Sequence, residues 1–451
     1  MNRSRRNWVM GLILVSMGLF FGACTKSTSG DTGKGGEQKE KIVVVSDEQE
    51  GTPDNPLTIN VAYPWEEEQF NERFKPIEEA LENVEIVFNS YNGTSEGLQE
   101  LFAADVVPDI IISSPDDIGP LEDLEAIYPL DDLVIQEDFD LGRLNPSLVS
   151  LVKGYDSENR LIGFPDGTGL FALYYNKEVF DLFGEPYPDP NKPMTWQETL
   201  ELSKKMTAER NNQMYIGLLF GGWGSTGDLA KVPLREFGIA MTDAKSGEVL
   251  LTKKPEFTRY LELMREYYNI PGMRSKDVLE SDMFAQKAAA MTIHWQNYLA
   301  QGWGDLEYQE NMDFAPVPVW EDQPTIGPHL GTAAMVVTSY SKNKVTAFRV
   351  LTEYVSTKSQ INIVSTMSSG PAVLDPEVLD NFGAELDQYK DRNTKLFFEL
   401  EPAELDNYSH FDRYVPFDLT KFADSDIDIP TFLREVEEEA EKIIEEAKVK
   451  N

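Results

Sequence analysis

The stretch LTINVAYPWEEEQFNERFKPIEEALENVEIVFNSY, residues 57–91, contains a strand, a helix and a second strand in that order. Residues 57–63 alternate apolar and polar side chains, the pattern of a half-buried strand, and residues 84–91 predict a second strand. The helix is predicted over residues 66–83, with Pro76 as a kink. Its apolar side chains at helical spacing are Phe70, Phe74, Ile77 and Leu81.

The same alternation of elements continues to residue 114. Residues 94–105 predict a short helix, and residues 108–114, PDIIISS, predict a fully apolar strand of the kind buried in parallel sheets. Strand, helix, strand, helix and strand in this order predict an α/β fold with right-handed crossovers. Ligands bind such sheets beyond the carboxyl ends of the strands, which points to Tyr63–Glu66 and Ser113–Asp117.

A second run of elements follows in the rest of the chain. Thr195 and Glu198 predict a capping box at the start of a helix over residues 193–207. The other predicted strands are residues 215–221, 291–295, 311–320 and 329–341. The other predicted helices are residues 255–268, 276–290 and 343–358, and the amphipathic segment 430–450.

The amino terminus has the layout of a secretory signal peptide, predicted over residues 1–23. Three arginines in the first six residues precede Trp8–Ala23, which carries no charge, and the only cysteine, Cys24, comes next. The junction resembles a bacterial lipobox, although Phe21 stands where Leu is usual. That resemblance implies acylation of Cys24 and anchoring to the outer face of the cell membrane. Residues 24–55 are predicted to be a flexible polar linker.

The chain is strongly acidic, with 78 aspartates and glutamates against 40 lysines and arginines and a net charge of −38. Such a charge repels nucleic acid and anionic membrane surfaces, so we expect no nucleic acid partner and no membrane contact beyond the lipid anchor. A single cysteine excludes a disulfide within the chain. The roughly 395 residues after the linker are too many for one core and predict two domains.

Several segments resemble the extracellular solute-binding lipoproteins of bacterial ABC importers, in the branch that mostly binds sugars. The most specific is LIGFPDGTGLFALYYNKEVFDLFG, residues 161–184, followed by a Thr-Trp-x-Glu helix start. The residues that match the family pattern are Tyr175, Asn176, Lys177, Glu178, Phe180, Thr195, Trp196 and Glu198. Residues 283–295 and 368–378 also resemble family segments, with Gln286 where glycine is usual. The likeness covers residues 55–451.

This resemblance implies an α/β, two-lobe periplasmic-binding-protein-like fold with a hinge and an interlobe ligand cleft. The expected crossings between the lobes are Phe164–Gly167, Met312–Ala315 and Ser368–Ala372. The expected lobes are residues 56–165 plus 313–368, and residues 166–312 plus 369–451. It also implies a monomer whose lobes close on the ligand and whose closed form is read by ABC transporter permease subunits.

A sugar presents hydroxyl groups to polar side chains and apolar faces to aromatic rings. The candidate ligand-binding residues, chosen at predicted strand ends, loops and crossings, are Tyr63, Trp65, Glu66, Asp116, Asp166, Trp223, His294 and Trp295. Any single tryptophan can instead pack in the core, and carboxylates in so acidic a chain are most often solvated. Trp223, flanked by glycines, is the preferred stacking residue, whereas Trp196 is expected in the core.

Two patterns point to other chemistry. GWGSTG, residues 222–227, has the glycine spacing of a dinucleotide site, but Trp223 would crowd the pyrophosphate. DSDIDIPTFLRE, residues 424–435, places acidic residues at calcium-loop positions, but Ile429 replaces the required glycine, so helix capping before Thr431 is the better interpretation. Three histidines and no Cys/His cluster lead us to expect no cofactor and no metal.

The sequence therefore favours a lipid-anchored receptor that captures a sugar or oligosaccharide and delivers it to an ABC importer without a catalytic step. The alternative is a surface-anchored glycoside hydrolase with two paired carboxylates. No linear motif excludes it, because such pairs are set by distance in space and not by spacing in sequence. A lipoprotein that presents a peptide or another protein partner would fit the anchor but not the two-lobe resemblance.

Overall fold

Two mixed β-sheets with helices packed on them form the two lobes. The computed structural model describes residues 44–49, 51–221, 227–275, 283–301, 309–367, 369–406 and 408–450, without the side chains of Asp116, Gln301 and Lys450. The predicted signal peptide, Cys24 and Trp223 lie outside the described residues.

The secondary structure alternates strands and helices through most of the chain. The strands are β1 (Leu57–Tyr63), β2 (Val84–Ser90), β3 (Ile110–Ser113), β4 (Phe164–Pro165), β5 (Phe171–Asn176), β6 (Ala208–Arg210), β7 (Gln213–Phe220), β8 (Ala289–Trp295), β9 (Met312–Pro316), β10 (Ile326–Gly327), β11 (Ala334–Val337) and β12 (Glu401–Pro402). The α-helices are α1 (Glu67–Ala80), α2 (Ser95–Ala103), α3 (Ile118–Asp123), α4 (Asp131–Gln136), α5 (Pro146–Gly154), α6 (Lys177–Phe183), α7 (Trp196–Met206), α8 (Val232–Arg235), α9 (Pro255–Tyr268), α10 (Lys344–Tyr354), α11 (Thr357–Ser365), α12 (Pro376–Asp380), α13 (Thr420–Asp424) and α14 (Ile429–Lys450).

The sheet of the first lobe has the strand order β2-β1-β3-β11-β4. β1 runs parallel to β2 and to β3, whereas β11 runs antiparallel to β3 and β4. β3 is buried along its whole length, as its uninterrupted apolar sequence predicts. The strand–helix order predicted between residues 57 and 114 is therefore confirmed.

The sheet of the second lobe has the strand order β6-β7-β8-β5-β9. β7 runs parallel to β8, and β5 runs antiparallel to both β8 and β9. Every residue of β5 is buried, because this strand lies inside the sheet with neighbours on both sides. A short parallel pair, β10 with β12, stands apart from the two sheets. The predicted α/β, two-lobe fold is confirmed.

Helix α1 buries an aromatic face against the first sheet. The rings of Phe70 and Phe74 stack at 4.8 Å, and both pack edge-on against Tyr63 of β1. Pro76 lies within the helix. Arg73 is buried on the same helix and is the one charged residue among its buried positions, a feature that the apolar spacing alone did not indicate.

The capping box at the start of α7 is confirmed. The amide of Glu198 donates to Oγ1 of Thr195 at 3.1 Å, and the amide of Thr195 donates to Oε2 of Glu198 at 2.8 Å. Trp196 is buried as expected, and its Nε1 donates to Oε1 of buried Glu236 at 2.9 Å. Burial raises the pKa of Glu236 well above the usual range of a glutamate.

Two predicted helices differ from the observed elements. The helix predicted over residues 343–358 is two helices, α10 and α11, and Ser356 caps the second by accepting from the amide of Ser359. The helix predicted over residues 276–290 lies partly outside the described residues, and residues 283–287 form turns before β8 begins at Ala289. Apolar periodicity in a short buried segment does not distinguish a helix from a strand.

One of the three predicted crossings is misplaced. The first runs from Pro165 at the end of β4 to Phe171 at the start of β5 and overlaps the predicted Phe164–Gly167 segment, whose first two residues form β4. Met312–Ala315 is not a crossing but part of β9, which pairs with β5 in the second sheet, so the second crossing comes after residue 316. Near the third prediction, Gly370 pairs with Thr168 of the first crossing.

The end of the predicted linker packs against the first lobe, so the expected flexibility does not extend through residue 55. The side chain of Gln136 accepts from the amide of Val45 at 2.9 Å and donates to its carbonyl at 3.0 Å. The carboxylate of Asp47 accepts from the amides of Val345 and Thr346 at 2.7 and 2.9 Å. Asp47 thus caps α10 from a distant point in the sequence, in place of the adjacent Asn343, whose side chain makes no capping bond to the described residues.

We predict that Asp47→Ala loosens the start of α10. Loss of a side-chain cap costs about 1 kcal/mol, which corresponds to about fivefold faster local opening. Amide hydrogen exchange at Val345 and Thr346 is the measurement. Asp54→Ala, at an exposed position of the same segment, is the control and should leave both rates unchanged. Equal exchange in wild type and Asp47→Ala would contradict the capping role.

Candidate functional site

The ends of the strands in the two lobes define a cleft. In the first sheet, Ala334 of β11 pairs with both Ser113 and Pro165, so the carboxyl ends of β3 and β4 share one edge, and parallel β1 and β2 end on that edge as well. In the second sheet, Phe171 at the start of β5 pairs with Trp295 at the end of β8. We call these the first and second cleft edges.

The short first crossing keeps the two cleft edges near each other. Pro165 ends β4 on the first cleft edge, and Phe171 begins β5 on the second, with five residues between them. Five extended residues span at most about 18 Å, so both edges border the same space. Predicted site residues lie at both edges, among them Trp65 after β1 and Trp295 at the end of β8.

On the first cleft edge, Trp65 follows β1 and presents its ring. Its side chain is 41% exposed. One edge of the ring packs on Tyr63 at a centroid distance of 5.2 Å, and the guanidinium carbon of Arg73 lies 5.6 Å from the ring centroid. Glu66 is also exposed and occupies the N-cap position of α1. Trp65 and Glu66 are therefore available to a ligand.

Tyr63 supports Trp65 from inside the lobe. Its side chain is 1% exposed, and its hydroxyl has no hydrogen-bond partner among the described residues. Burial raises the pKa of this hydroxyl to about 12, so it remains a neutral phenol. The ring of Tyr63 packs between Trp65 and the phenylalanines of α1.

Asp166 is engaged in an ion pair inside the protein. Its Oδ2 accepts from Nη1 of Arg73 at 3.1 Å, and both side chains are less than a tenth exposed. Burial raises the pKa of Asp166, and the positive charge of Arg73 opposes that rise. Arg73 therefore occupies one oxygen of this buried carboxylate.

Several polar side chains lie together at the ends of β2 and β3. The sequence predicted only those that follow β3. Oγ of Ser114 donates to Oδ2 of Asp117 at 2.5 Å, and this carboxylate lies against Gly93, where a Cβ would come within 2.6 Å of it. The hydroxyl of Tyr91 is buried nearby without a partner among the described residues. Burial, followed by the charge of Asp117, raises its pKa to about 12. The side chain of Asp116, the predicted residue here, lies outside the description.

On the second cleft edge, Trp295 is half-buried. Its ring packs against Phe171 at 4.4 Å with an interplanar angle of 35°. Gly169 in the first crossing permits this position, because a Cβ there would lie 2.3 Å from Cζ3 of Trp295. The glycine therefore lets the ring lie directly against the backbone of the crossing segment.

His294 points into the second lobe. It is 3% exposed, its Nδ1 accepts from the amide of Trp295 at 2.9 Å, and its ring lies 4.1 Å from that of Tyr298. Burial lowers its pKa to about 3, so the imidazole is neutral. Neighbouring residues of a strand point to opposite faces, which separates His294 from Trp295. We therefore leave His294 out of the site proposed below.

Gln296, which was not among the predicted residues, makes hydrogen bonds that connect the first crossing to the end of β8. Its Oε1 accepts from the amide of Leu170 at 2.9 Å, and its own amide donates to the carbonyl of Leu170 at 2.9 Å. Its Nε2 donates to the carbonyl of Met367 at 3.4 Å. The signal available in the sequence was a polar residue directly after a buried strand end.

A separate cavity lies away from these residues. It measures about 680 Å³, and its described wall includes residues of α5, residues 402–406, Tyr408 and His410, and none of the predicted site residues. The calcium-loop interpretation set aside above has no support, because Oδ1 of Asp428 accepts from the amide of Thr431 as a helix cap. In the described part of the chain, no three acidic, His or Cys side chains are arranged to hold a metal. None of the described helices is long and apolar enough to cross a membrane.

Comparison with known proteins places this geometry in a family. The model of the bacterial extracellular solute-binding protein family matches residues 61–361. No curated protein sequence matches the chain significantly. An ABC substrate-binding protein from Listeria monocytogenes in complex with cycloalternan is similar, with a TM-score of 0.66 and 17% identity over 86% of this chain and 99% of that protein.

Two further solved structures have the same fold. A sugar transporter protein from Rhizobium etli in an open conformation has a TM-score of 0.64 and 17% identity over 85% of this chain and 99% of that protein. Maltose-bound MalE3 from T. maritima has a TM-score of 0.59 and 17% identity over 86% of this chain and all of that protein. Because the family model matches well over half of the sequence, from β1 to α11, the chain belongs to the family of bacterial extracellular solute-binding proteins.

Proposed function

We propose that the protein captures a sugar or oligosaccharide between the two cleft edges and delivers it to the permease of an ABC importer. The observation that carries the proposal is the pair of tryptophans, Trp65 and Trp295, one after β1 on the first cleft edge and one at the end of β8 on the second. Aromatic faces suit the apolar faces of sugar rings, and the family and the sugar-bound neighbours support the same ligand class.

The polar half of the proposed site comes from the first lobe. In this proposal Glu66, Asp116 and Asp117, which follow β1 and β3 in the sequence, would accept hydrogen bonds from sugar hydroxyls. Trp223, which lies beyond the described residues, remains a proposed stacking residue because its glycine neighbours cannot bury it locally. Tyr63 and Asp166 take supporting roles in this proposal.

The proposed action is binding followed by release, without a covalent step, cofactor or metal. Closure of two lobes on a ligand shifts a population between open and closed states, and the permease would recognise the closed one. We also propose that the protein is a monomer and that acylated Cys24 anchors it to the outer face of the membrane. Its net charge of −38 disfavours nucleic acid as a partner.

A glycan panel tests the ligand class. The chain from residue 44 onward is incubated with linear and cyclic glucans and with mannooligosaccharides, and is followed by thermal shift, native mass spectrometry and analysis of the glycans. A ligand at 100 times its Kd stabilises the folded state by about 2.7 kcal/mol. A glycan that shifts the midpoint and is recovered intact supports the proposal. No shift with any glycan overturns the sugar assignment, and a cleaved glycan favours the glycoside hydrolase.

Trp65→Ala is expected to weaken binding of an identified glycan about tenfold or more, because it removes an exposed aromatic face from the first cleft edge. Isothermal titration calorimetry measures the change. Tyr340→Ala is the matched control, since Tyr340 is a 40% exposed aromatic residue beyond the opposite end of the same sheet, after β11. Equal affinities for Trp65→Ala and wild type would remove Trp65 from the site.

Trp223→Ala is likewise expected to weaken glycan binding, by the loss of a second stacking face in the loop after β7. The same calorimetry applies, with Trp223→Phe retaining part of the affinity because a smaller aromatic face remains. Unchanged affinity in Trp223→Ala would exclude this residue from the ligand contacts.

Cys24→Ser is expected to move the protein from the membrane fraction to the soluble fraction, because serine cannot carry the thioether-linked lipid that would anchor the chain. Fractionation of cells that express the full sequence measures the distribution. A Cys24→Ser protein that stays in the membrane fraction as firmly as wild type would contradict the anchor.

A further inference from the structure

Arg73 lies between the exposed ring of Trp65 and the buried carboxylate of Asp166. The guanidinium carbon is 5.6 Å from the centroid of the Trp65 ring, within the range of a cation–π contact. On its other side, Nη1 donates to Oδ2 of Asp166 at 3.1 Å. The arginine is only 7% exposed, so this charge is held inside the first lobe and not in solvent.

The carboxylate that pairs with Arg73 belongs to the hinge. Asp166 is the first residue of the first crossing, directly after β4. Its amide donates to the carbonyl of Ala333, the last residue before β11, at 3.1 Å. Its carbonyl accepts from the hydroxyl of Tyr354 at 2.9 Å. The position of the Asp166 backbone is therefore defined by the segment that precedes β11 and by α10.

Stability alone gives a poor account of this pair. Removing two charges from water is costly, and well-packed apolar side chains in the same place are often as stabilising as a buried ion pair. Helix α1 otherwise buries apolar side chains, so an apolar residue at position 73 would fit its pattern. What the charged pair adds is a directional contact that joins a ring at the cleft to a residue at the hinge.

We propose that Arg73 is a positioning residue for the sugar-stacking ring of Trp65, and that its pairing with Asp166 couples this ring to the hinge. This proposal rests on the proposed function. It says that the Trp65 ring on the first cleft edge moves when the lobes close. A change in backbone angles along the first crossing moves Asp166, and the guanidinium against Trp65 moves with it. Binding and closure then influence each other reciprocally.

The positioning of Trp65 can be tested before any ligand is known. Arg73→Lys keeps a positive charge for Asp166 but lacks the planar guanidinium that lies against the ring. The emission of Trp65 is obtained as the difference between each protein and its Trp65→Phe derivative, and acrylamide quenching measures how accessible the ring is. We expect stronger quenching of Trp65 in Arg73→Lys and in Asp166→Asn, with circular dichroism like that of wild type.

Arg413→Lys is the matched control. Arg413 also has a buried side chain, pairs with Glu122 at 3.2 Å and lies 5.5 Å from the ring of Tyr414, and its described contacts do not include Trp65. Its substitution should leave the quenching of Trp65 unchanged. Unchanged quenching in Arg73→Lys would overturn the positioning role, and unchanged quenching in Asp166→Asn would overturn the coupling to the hinge.

Once the panel identifies a glycan, a double-mutant cycle of Arg73 and Trp65 measures how the two residues act together in glycan binding. Arg73→Lys should weaken binding about fivefold in the wild-type background and less than about twofold in Trp65→Ala, because the arginine acts through the ring. Equal effects in both backgrounds would show a merely structural role and overturn the inference while leaving sugar binding intact. If no glycan binds, the proposed function fails, and the quenching result still decides whether Arg73 positions the ring.

Discussion

The short first crossing is the constraint on which the rest of the structure depends. Five residues connect β4 of one sheet to β5 of the other, so the carboxyl ends of the strands in the two lobes border one space. Close packing along this segment requires small residues. Gly169 lets the ring of Trp295 lie against the backbone, and Gly167 adopts φ +132° beside Ser369. The cleft is a consequence of this connection.

The two walls of the cleft are built by different means. On the second edge, Trp295 packs on Phe171 across a strand pair, and Gln296 fastens the strand end to Leu170 and Met367. On the first edge, Trp65 is more exposed, and its support is a tyrosine ring and a buried arginine. The first wall therefore has an electrostatic connection to the first crossing through the ion pair of Arg73 with Asp166.

Prediction from the sequence was reliable where the structure depends on residues that are close together in the sequence. The alternation in β1, the spacing of Phe70 and Phe74 in α1, and the capping box at Thr195 each depend on neighbours a few residues away. It was less reliable where long-range pairing decides. Met312–Ala315 reads as a crossing in sequence, yet it pairs with β5 inside the second sheet. Asp47 lies in a polar segment, yet it caps a helix almost 300 residues away.

The sequence by itself determined the fold class, the family likeness and the strand ends at which a ligand site would form, because these follow from periodicity and from local motifs. Only the tertiary structure decided what each candidate side chain does there. Trp65, Asp166 and His294 all follow or end strands, but one is exposed, one is ion-paired and one is buried. Burial and partners depend on residues far apart in the chain, such as Arg73 for Asp166 and Tyr298 for His294. That information is absent from any local stretch of sequence.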